Sequence, residues 1–244
     1  MALDERKSRI VDYLKENRRA SVKELASLLF VSEATVRREL TELQKLGMLE
    51  RSHGGAIIQD NAEEISIFVR MNENSKEKEL AATNALPHIP KFGTVFIDSS
   101  STALALAERM DLSHKTVVTN NIETAIRLSK KKDINLIILG GSVQYNTVSA
   151  TGSYTVRQIE EFSFDLVIAS CAAVRGSELY ERSIEQKEIK LAAFRRSKYK
   201  VLVFGSSKYE GYGAYKLGDA SDFDLIATDK KPGEKELLSF NVVY

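Results

Sequence analysis

The chain has little of what marks a secreted, membrane or metal-binding protein. Its 244 residues include one cysteine, Cys171, which excludes an intramolecular disulfide framework. No Cys/His cluster has the spacing of a zinc site, so no metal is expected. No cofactor is predicted either. No apolar run approaches the roughly 20 residues that cross a bilayer. These absences predict a cytoplasmic protein in a reducing compartment.

The chain also lacks an excess of charge of either sign. Its 35 basic and 34 acidic residues leave a net charge of +1, and residues 1–58 carry only +2. Proteins that hold nucleic acid by charge alone are far more basic, so any contact with DNA must be local. Specific binding through so small a surface predicts a homodimer or homotetramer.

Residues 32–46, SEATVRRELTELQKL, have the pattern of a helix that enters a DNA groove. Val36, Leu40 and Leu43 recur at helical spacing and form an inner face. The opposite face, which includes Arg38, is small, polar and cationic, as groove entry requires. The pattern therefore predicts a helix that reads double-stranded DNA.

The flanking segments predict a winged helix-turn-helix around this helix. Two preceding segments repeat apolar residues at helical spacing. Ser21 and Glu24 form a capping box, and Ser32 is placed to cap the third helix. Gly47 is the predicted C-cap, and residues 48–57 read as two short strands around a glycine turn. The predicted DNA-binding domain spans residues 1–58.

The predicted DNA contacts lie at the start of the third helix and in the wing. An isolated helix with exposed arginines is more often merely solvated, but the neighbouring helices and hairpin favour DNA. The guanidinium fork suits a guanine edge and a phosphate equally, so assigning Arg38 to a base and Arg37 to the backbone is a hypothesis. His53 is as well explained by a structural role. The predicted set is Ser32, Glu33, Ala34, Thr35, Arg37, Arg38, Arg51 and His53.

Beyond a polar, acidic connector at residues 59–75, apolar runs alternate with amphipathic stretches. The runs are rich in Val and Ile without polar alternation, which indicates strands covered on both faces. Residues 76–244 are therefore predicted to form an α/β domain with a largely parallel sheet. That this domain senses an effector and forms the oligomer is a hypothesis, based on the two-domain order and on the loops described next. The predicted strands are 94–98, 116–119, 135–139, 166–170, 200–204 and 224–228, and the predicted helices are 102–110, 122–130 and 184–197.

Small and hydroxylated residues follow several of these strands, at the edge where parallel sheets bind ligands. Hydroxyls and unpaired backbone N–H groups at a helix start suit a phosphate. Taken alone, each loop is better explained as a helix cap or a turn, but together the loops predict a binding site for a phosphorylated small molecule. The predicted site comprises Asp98, Ser99, Ser100, Ser101, Thr102, Thr119, Asn120, Gly140, Gly141 and Lys208.

Two residues, Asp98 of this site and Cys171 outside it, have alternative explanations. Asp98 is suited to bonding sugar hydroxyls or to capping its own loop, and the sequence does not separate the two. Cys171 lies in an apolar run, where a cysteine is more often part of the core than a redox switch.

The motifs resemble those of the DeoR family of bacterial transcriptional regulators over nearly the whole chain. Residues 31–56 are similar to the family's DNA-binding signature almost position for position. The resemblance implies an effector domain related in fold to ribose-phosphate isomerases, glucosamine-phosphate deaminases and acyl-CoA transferases. It also implies a repressor of sugar-utilisation genes that a phosphorylated sugar releases. The other matching motifs are IDSSST at 97–102, VTNN at 118–121, LGG at 139–141, EIK at 188–190 and SSKY at 206–209.

The chain departs from the family pattern at a few positions. Ser100 stands where the family commonly has glycine, Gln144 and Tyr145 where it has arginine, and Gly205 where it has aspartate. The phosphate cradle keeps more of the pattern than the sugar-recognition edge does. The resemblance therefore names no particular sugar.

An enzyme is the alternative function, because the implied fold also houses isomerases and deaminases of sugar phosphates. Catalysis needs a base near the reacting carbon, and the sequence does not place Asp98, Glu178 or Glu185 there. The fused DNA-binding domain favours a sensor, so no catalytic residue is predicted.

Overall fold

The computed structural model describes residues 5–45, 48–57, 66–233 and 237–244. The chain divides into two compact units, Met1–Glu73 and Asn74–Tyr244. Gly47, the predicted helix cap, and most of the first half of the predicted connector lie outside the described residues. The second half of the connector is helical, and its Val69 is buried in the core of the first unit.

The first unit contains the predicted winged helix-turn-helix. Helices α1, α2 and α3 bury their apolar faces against one another, with Leu14, Leu25 and Leu40 among the central residues. The strands form an antiparallel sheet in the order β1-β3-β2. The elements are α1 (Glu5–Asn17), β1 (Arg19–Ser21), α2 (Val22–Leu29), α3 (Glu33–Lys45), β2 (Glu50–Ser52), β3 (Gly55–Ile57) and α4 (Ile67–Asn72).

Local sequence signals fix the starts of α2 and α3. The Ser21 side chain accepts from Glu24 N while the Glu24 carboxylate accepts from Ser21 N, which confirms the capping box. Ser32 Oγ accepts from Thr35 N at 3.2 Å, as predicted for the third helix. Strand β1, absent from the prediction, pairs antiparallel with β3, so closely that a Cβ on Gly55 would lie 2.1 Å from Ala20 O.

The second unit is built on a seven-stranded sheet in which every pairing is parallel. The strand order is β15-β14-β12-β9-β4-β5-β6. The elements are α5 (Ser75–Ala85), β4 (Thr94–Ile97), α6 (Ser101–Arg109), β5 (Thr116–Thr119), α7 (Ile122–Leu128), β6 (Asn135–Ile138), β7 (Ser142–Gln144), β8 (Ser149–Thr151), α8 (Ser153–Glu160), β9 (Phe164–Ala169), β10 (Ala173–Arg175), β11 (Glu178–Glu181), α9 (Ile184–Arg195), β12 (Ser197–Val203), β13 (Tyr215–Asp219), β14 (Leu225–Ala227) and β15 (Val242–Val243).

Helices cover both faces of the parallel sheet, as the unbroken Val and Ile runs predict. Val95 and Ile97 of β4 pack with α5, α6 and α7 on one face. Phe96, between them, faces the opposite layer, which α8 and α9 form. Alternate residues of a strand point to opposite faces, so a strand buried on both sides is apolar throughout. The predicted α/β fold with a parallel sheet is confirmed.

The prediction missed the short elements that surround the carboxyl end of the sheet. Strands β7 and β8 form an antiparallel hairpin, and β10, β11 and β13 form a separate antiparallel sheet. Each has only three to five residues, too few for a periodic signal. Helices α5 and α8 were also missed, and α5 buries Lys78 and three alanines instead of large apolar residues.

Candidate functional site

The first turn of α3 is presented to solvent, with its backbone held by its own side chains. Ser32 Oγ lies 3.0 Å from Thr35 Oγ1 and also accepts from Thr35 N. Glu33 and Ala34 are exposed beside them. The residues predicted to enter a DNA groove therefore lie at the exposed start of a well-capped helix.

The two adjacent arginines of α3 differ in their partners. Arg37 Nη2 donates to Glu33 Oε2 at 2.8 Å, one helical turn away. Arg38 is exposed and forms no hydrogen bond or ion pair with any residue in the described part of the chain. The guanidinium of Arg38 is thus available to a ligand, whereas that of Arg37 is already engaged in an exposed, weak ion pair.

The wing is tied to α3 through one of the predicted DNA contacts. Arg51 of β2 donates to Thr41 Oγ1 at 3.0 Å, and the same hydroxyl donates to Arg37 O at 2.8 Å. His53 is exposed in the turn between β2 and β3, followed by Gly54 with φ +84°. The structure therefore places the guanidinium of Arg51 beside α3 and His53 at the tip of the wing.

An ion pair between a partly exposed arginine and a buried carboxylate joins α1 to α3. Arg6 of α1 pairs with Glu39 of α3, whose side chain is 2% exposed. A buried carboxylate is stable only with a charged or hydrogen-bonding partner, so this pair fixes the two helices relative to each other.

In the second unit, the loop from β4 to α6 is buried along its whole length. Ser100 is the N-cap of α6, and its Oγ accepts from Ala103 N at 3.2 Å. The hydroxyls of Ser101 and Thr102 have no hydrogen-bond partner among the residues that the structure describes. The first turn of α6 therefore offers two unengaged hydroxyls beside its unpaired backbone N–H groups.

The hydrogen bonds of Asp98 match the second of its two explanations, in which the carboxylate caps its own loop. Its Oδ1 accepts from Ser100 N at 2.9 Å and from Ser100 Oγ. Its Oδ2 accepts from Ser170 N, in the loop after β9, at 3.1 Å. Only 1% of the residue is exposed, so the carboxylate holds the loops of β4 and β9 together from inside.

Lys190 of α9 lies beneath this loop and joins two buried carboxylates. Its Nζ lies 3.0 Å from Asp98 Oδ2 and also donates to Glu181 and to Ser170 O. Burial acts to lower the pKa of Lys190, but Asp98 and Glu181 favour the charged form more strongly and raise that pKa above its usual value. The ammonium is therefore a permanent part of the site.

Gln186, one turn before Lys190, connects the β4 loop to the β7–β8 hairpin. Its Oε1 accepts from Ser99 Oγ at 2.7 Å. Its Nε2 donates to Ser149 Oγ at 2.8 Å and to Gln144 Oε1 at 3.1 Å. All of the Gln186 polar atoms are thus used to position the hairpin over the loop.

The loop after β5 lies against the same hairpin. Thr119 Oγ1 accepts from Asn121 N at 3.2 Å. Asn120 Nδ2 donates to Ala150 O at 2.9 Å, but its Oδ1 is buried and has no hydrogen-bond partner among the described residues. Buried polar atoms without a partner are rare, and Asn120 Oδ1 is therefore a candidate acceptor for a ligand.

The two predicted glycines lie where the hairpin meets α8. Gly140 N donates to Gln158 Oε1 at 3.1 Å, and Gly140 O accepts from Thr155 Oγ1 at 2.8 Å. A Cβ on Gly141 would lie 2.1 Å from the same Thr155 hydroxyl. Close packing against α8 therefore requires glycine at position 141.

Lys208 lies in a short 3-10 segment, Ser206–Glu210, after β12. Strand β12 pairs with β9, and Cys171 follows β9, so Lys208 and Cys171 lie in segments that follow neighbouring strands. Burial raises the pKa of Cys171 to about 12. Cys171 belongs to the hydrophobic core, in agreement with the packing interpretation.

Hydrogen bonds thus join the predicted β4 loop, Asn120 and the hairpin at one end of the sheet. The sequence did not predict Lys190, Glu181 or Gln186 as members of this cluster. A signal for two of them exists, because Gln186 and Lys190 are four residues apart on α9 and share its buried face. In the described part of the chain, no group of acidic, histidine or cysteine side chains is arranged to hold a metal.

Comparison with known proteins identifies both units. A family model of the DeoR C-terminal sensor domain matches residues 73–230, and one of the DeoR-like helix-turn-helix domain matches residues 6–62. The chain belongs to the DeoR family. The resemblance inferred from the motifs is confirmed, and the protein is a transcriptional regulator with a DNA-binding domain and a sensor domain.

Relatives of this DeoR-family regulator align over almost its whole length. It is 32% identical over 230 residues to the HTH-type transcriptional regulator GolR of Listeria innocua, covering 93% of this chain and 91% of that protein. It is 29% identical over 235 residues to the glycerol-3-phosphate regulon repressor of Escherichia coli, covering 95% and 93%. Both relatives are named as regulators, not as enzymes.

Among solved structures, ribose 5-phosphate isomerase A of Methanocaldococcus jannaschii overlaps with a TM-score of 0.40 and 14% identity, covering 56% of this chain and 55% of that chain. No helix in the described ranges of the regulator is long and apolar enough to cross a membrane.

Proposed function

We propose that this regulator represses a sugar-utilisation operon and that a phosphorylated sugar, bound at the carboxyl ends of β4 and β5, releases it from DNA. The observation that carries the proposal is the first turn of α6. There the Ser101 and Thr102 hydroxyls have no partner within the described residues, although the neighbouring Ser99 and Ser100 hydroxyls do. A helix start with free donors attracts phosphate through its N–H groups and its dipole.

The remaining residues of the sensor site divide into ligand contacts and supports. We assign the phosphate to Ser101, Thr102 and the adjacent N–H groups, with Lys208 approaching from the β12 side. Asn120 Oδ1 would accept from a sugar hydroxyl, which would supply the partner that this buried atom lacks. Ser99, Ser100, Asp98, Thr119, Gly140 and Gly141 shape the loops without direct contact.

For the DNA interface, we assign base recognition to Arg38 and backbone contacts to the residues around it. Arg38 is supported by its exposed and unengaged guanidinium. Arg37 can exchange its weak pair with Glu33 for a phosphate, because an exposed ion pair contributes little. The proposed interface comprises Ser32, Glu33, Ala34, Thr35, Arg37, Arg38, Arg51 and His53.

The regulator would act as a homodimer or homotetramer in the cytoplasm, where paired half-sites in the operator match paired winged helices. The paired winged helices can have two arrangements, of which only one fits the operator. The ligand releases DNA if it binds more tightly to the arrangement that does not fit. A difference of about 1.4 kcal/mol between the two arrangements gives tenfold relief.

We infer that the site binds its ligand without transforming it. Both carboxylate oxygens of Asp98 accept internal hydrogen bonds, and Glu178 is engaged with Lys216 and Tyr180 on the separate sheet. Neither side chain is placed as a free general base. Release of an isomerised or deaminated product from purified protein would contradict this inference.

A double variant, Ser101→Ala with Thr102→Ala, tests the sensor half. A thermal-shift screen of phosphorylated hexoses, pentoses, ketoses and glycerol 3-phosphate first identifies a ligand of the wild type. The double variant should bind operator DNA as tightly as the wild type, yet neither bind that ligand in calorimetry nor release DNA. Thr83→Ala, which removes an exposed hydroxyl from α5, is the matched control and should respond normally. Unchanged ligand binding by the double variant would refute the proposed site.

A further inference from the structure

Phe30 forms the turn between α2 and α3, and its ring is almost entirely in water. The residue is 91% exposed. It is the C-cap of α2, with φ 55° and ψ 44°, and its N–H donates to Ala26 O. A large aromatic side chain thus occupies the left-handed conformation in full solvent.

Neither property of Phe30 favours folding. The left-handed region brings Cβ close to the following carbonyl, so helix ends of this kind usually carry glycine or asparagine. For a bulky residue such a conformation is an outlier, and backbone strain of this kind often accompanies function. Because the ring is exposed, it buries no apolar surface that would offset the backbone strain.

The surrounding chain forces both the conformation and the direction of the ring. Leu29 before it is 6% exposed and belongs to the core of the first unit. Val31 after it packs against the same core, and its N–H donates to Ala26 O at 3.1 Å. Because both neighbours point inwards, the backbone reverses at Phe30 and the ring points out.

The turn places Phe30 close to the surface proposed to face DNA. Phe30 is two residues before Ser32, the residue whose hydroxyl caps α3. Consecutive Cα atoms are about 3.8 Å apart, so the Phe30 Cα lies within about 8 Å of the Ser32 Cα. Phenylalanine in this setting is suited to apolar contact with a thymine methyl group or with the carbon face of a deoxyribose.

We propose that Phe30 is a DNA-contacting residue whose ring packs against an apolar group of the operator, next to the groove that α3 enters. The inference rests on the proposed DNA interface and adds an aromatic contact outside α3 and the wing. The turn fixes the direction of the Phe30 Cα–Cβ bond before DNA arrives, and a phenylalanine side chain has only two torsion angles left to order on binding.

The test exploits opposite effects on stability and affinity. Phe30→Gly and Phe30→Asn relieve the left-handed strain, so their Tm should equal or exceed that of the wild type. Their affinity for the operator should fall about three- to tenfold, because the apolar contact is lost. Phe30→Leu keeps an apolar side chain and should retain most of the affinity. A purely structural role for Phe30 would not produce this separation.

His114→Gly is the matched control, because His114 is exposed and has φ 59° in the second unit. It should raise or preserve the Tm and leave operator affinity unchanged. An operator with deoxyuridine in place of thymine identifies the contact: if a methyl group is the partner, the affinity difference between wild type and Phe30→Gly disappears, and if deoxyribose is the partner, the difference persists.

Wild-type affinity for Phe30→Gly and Phe30→Asn would overturn the proposal. Absence of operator binding by the wild type itself would instead overturn the proposed DNA-binding function. Fluorescence anisotropy at one fixed salt concentration distinguishes the two failures.

Discussion

The Nζ of Lys190 lies 3.0 Å from Oδ2 of Asp98, with both side chains buried. Glu181 pairs with the same ammonium, so one positive charge is shared by two buried carboxylates. Asp98 in turn fixes Ser100, the cap of α6. The charge of Lys190 therefore supports the loop that presents Ser101 and Thr102.

Replacing Lys190 by methionine should destabilise the protein by about 3–5 kcal/mol, because it leaves buried carboxylates without their counter-charge. Urea denaturation at pH 7 measures the loss. Lys187→Met, on the same helix, is the control and should cost less than about 1 kcal/mol. Because the pKa of Lys190 is raised in the folded protein, its charge contributes fully to stability below the ordinary lysine pKa. This contribution to stability is lost only as the pH rises through the folded-state pKa. A stability of Lys190→Met equal to that of the control would show that the triad is dispensable.

Arg38→Ala should cost about 1–3 kcal/mol of binding free energy for the cognate operator and less for random DNA, because a base contact is lost. Arg37→Ala is the matched variant and should weaken binding to both sequences equally. Fluorescence anisotropy with labelled duplexes at fixed salt measures both effects. If Arg38→Ala weakened binding to both sequences equally, Arg38 would be a phosphate contact.

The hydrogen bonds of the Asp165 carboxylate should make the protein less stable in acid. Hydrogen bonds from Lys198 and from the backbone N–H groups of Gly93 and Thr94 lower the pKa of Asp165 to about 2. A lowered pKa contributes stability above the unfolded value, and that contribution disappears as the pH falls through the folded value. Since the side chain is one-third exposed, solvent screening reduces the contribution to about 1 kcal/mol.

Asp165→Asn should therefore be less stable than the wild type at pH 7, and the difference should shrink as the pH falls from about 4 towards 2. Urea denaturation across this range measures the difference. A difference that stayed constant with pH would mean that shape, not charge, makes this carboxylate important.

Cys171 should be unreactive in the folded protein, because burial raises its pKa to about 12 and the thiolate is the reactive form. A thiol reagent at pH 8 should label it only after unfolding in denaturant. Peroxide treatment should leave operator binding unchanged. Rapid labelling of the native protein, together with loss of binding on oxidation, would revive the redox alternative.

The sequence predicts features that local residues determine. The capping box of Ser21 and Glu24, the cap at Ser32 and the inner face of α3 each depend on residues three or four positions apart. The buried strands are recognisable because both of their faces are apolar. These signals are enough to predict the two domains and the parallel sheet.

Contacts between distant residues are not encoded in such spacing. Asp98 meets Lys190 only because β4 and β9 are neighbours in the sheet and α9 packs beneath them. Gln186 meets Ser99 for the same reason. The residue types alone did not decide whether Asp98 contacts a sugar or caps its loop, because a carboxylate does both.

The strand order of the parallel sheet affects how the protein is made. Strand β4 is the first strand of that sheet to be synthesised, yet it pairs with β9, which begins at Phe164. The contacts of the first unit, by contrast, lie within residues 1–73. Domains fold as units during synthesis, and the remaining chain takes about 10–30 s at about 5–20 residues per second. The winged helix-turn-helix unit can therefore complete its fold while the parallel sheet of the second unit still lacks strands.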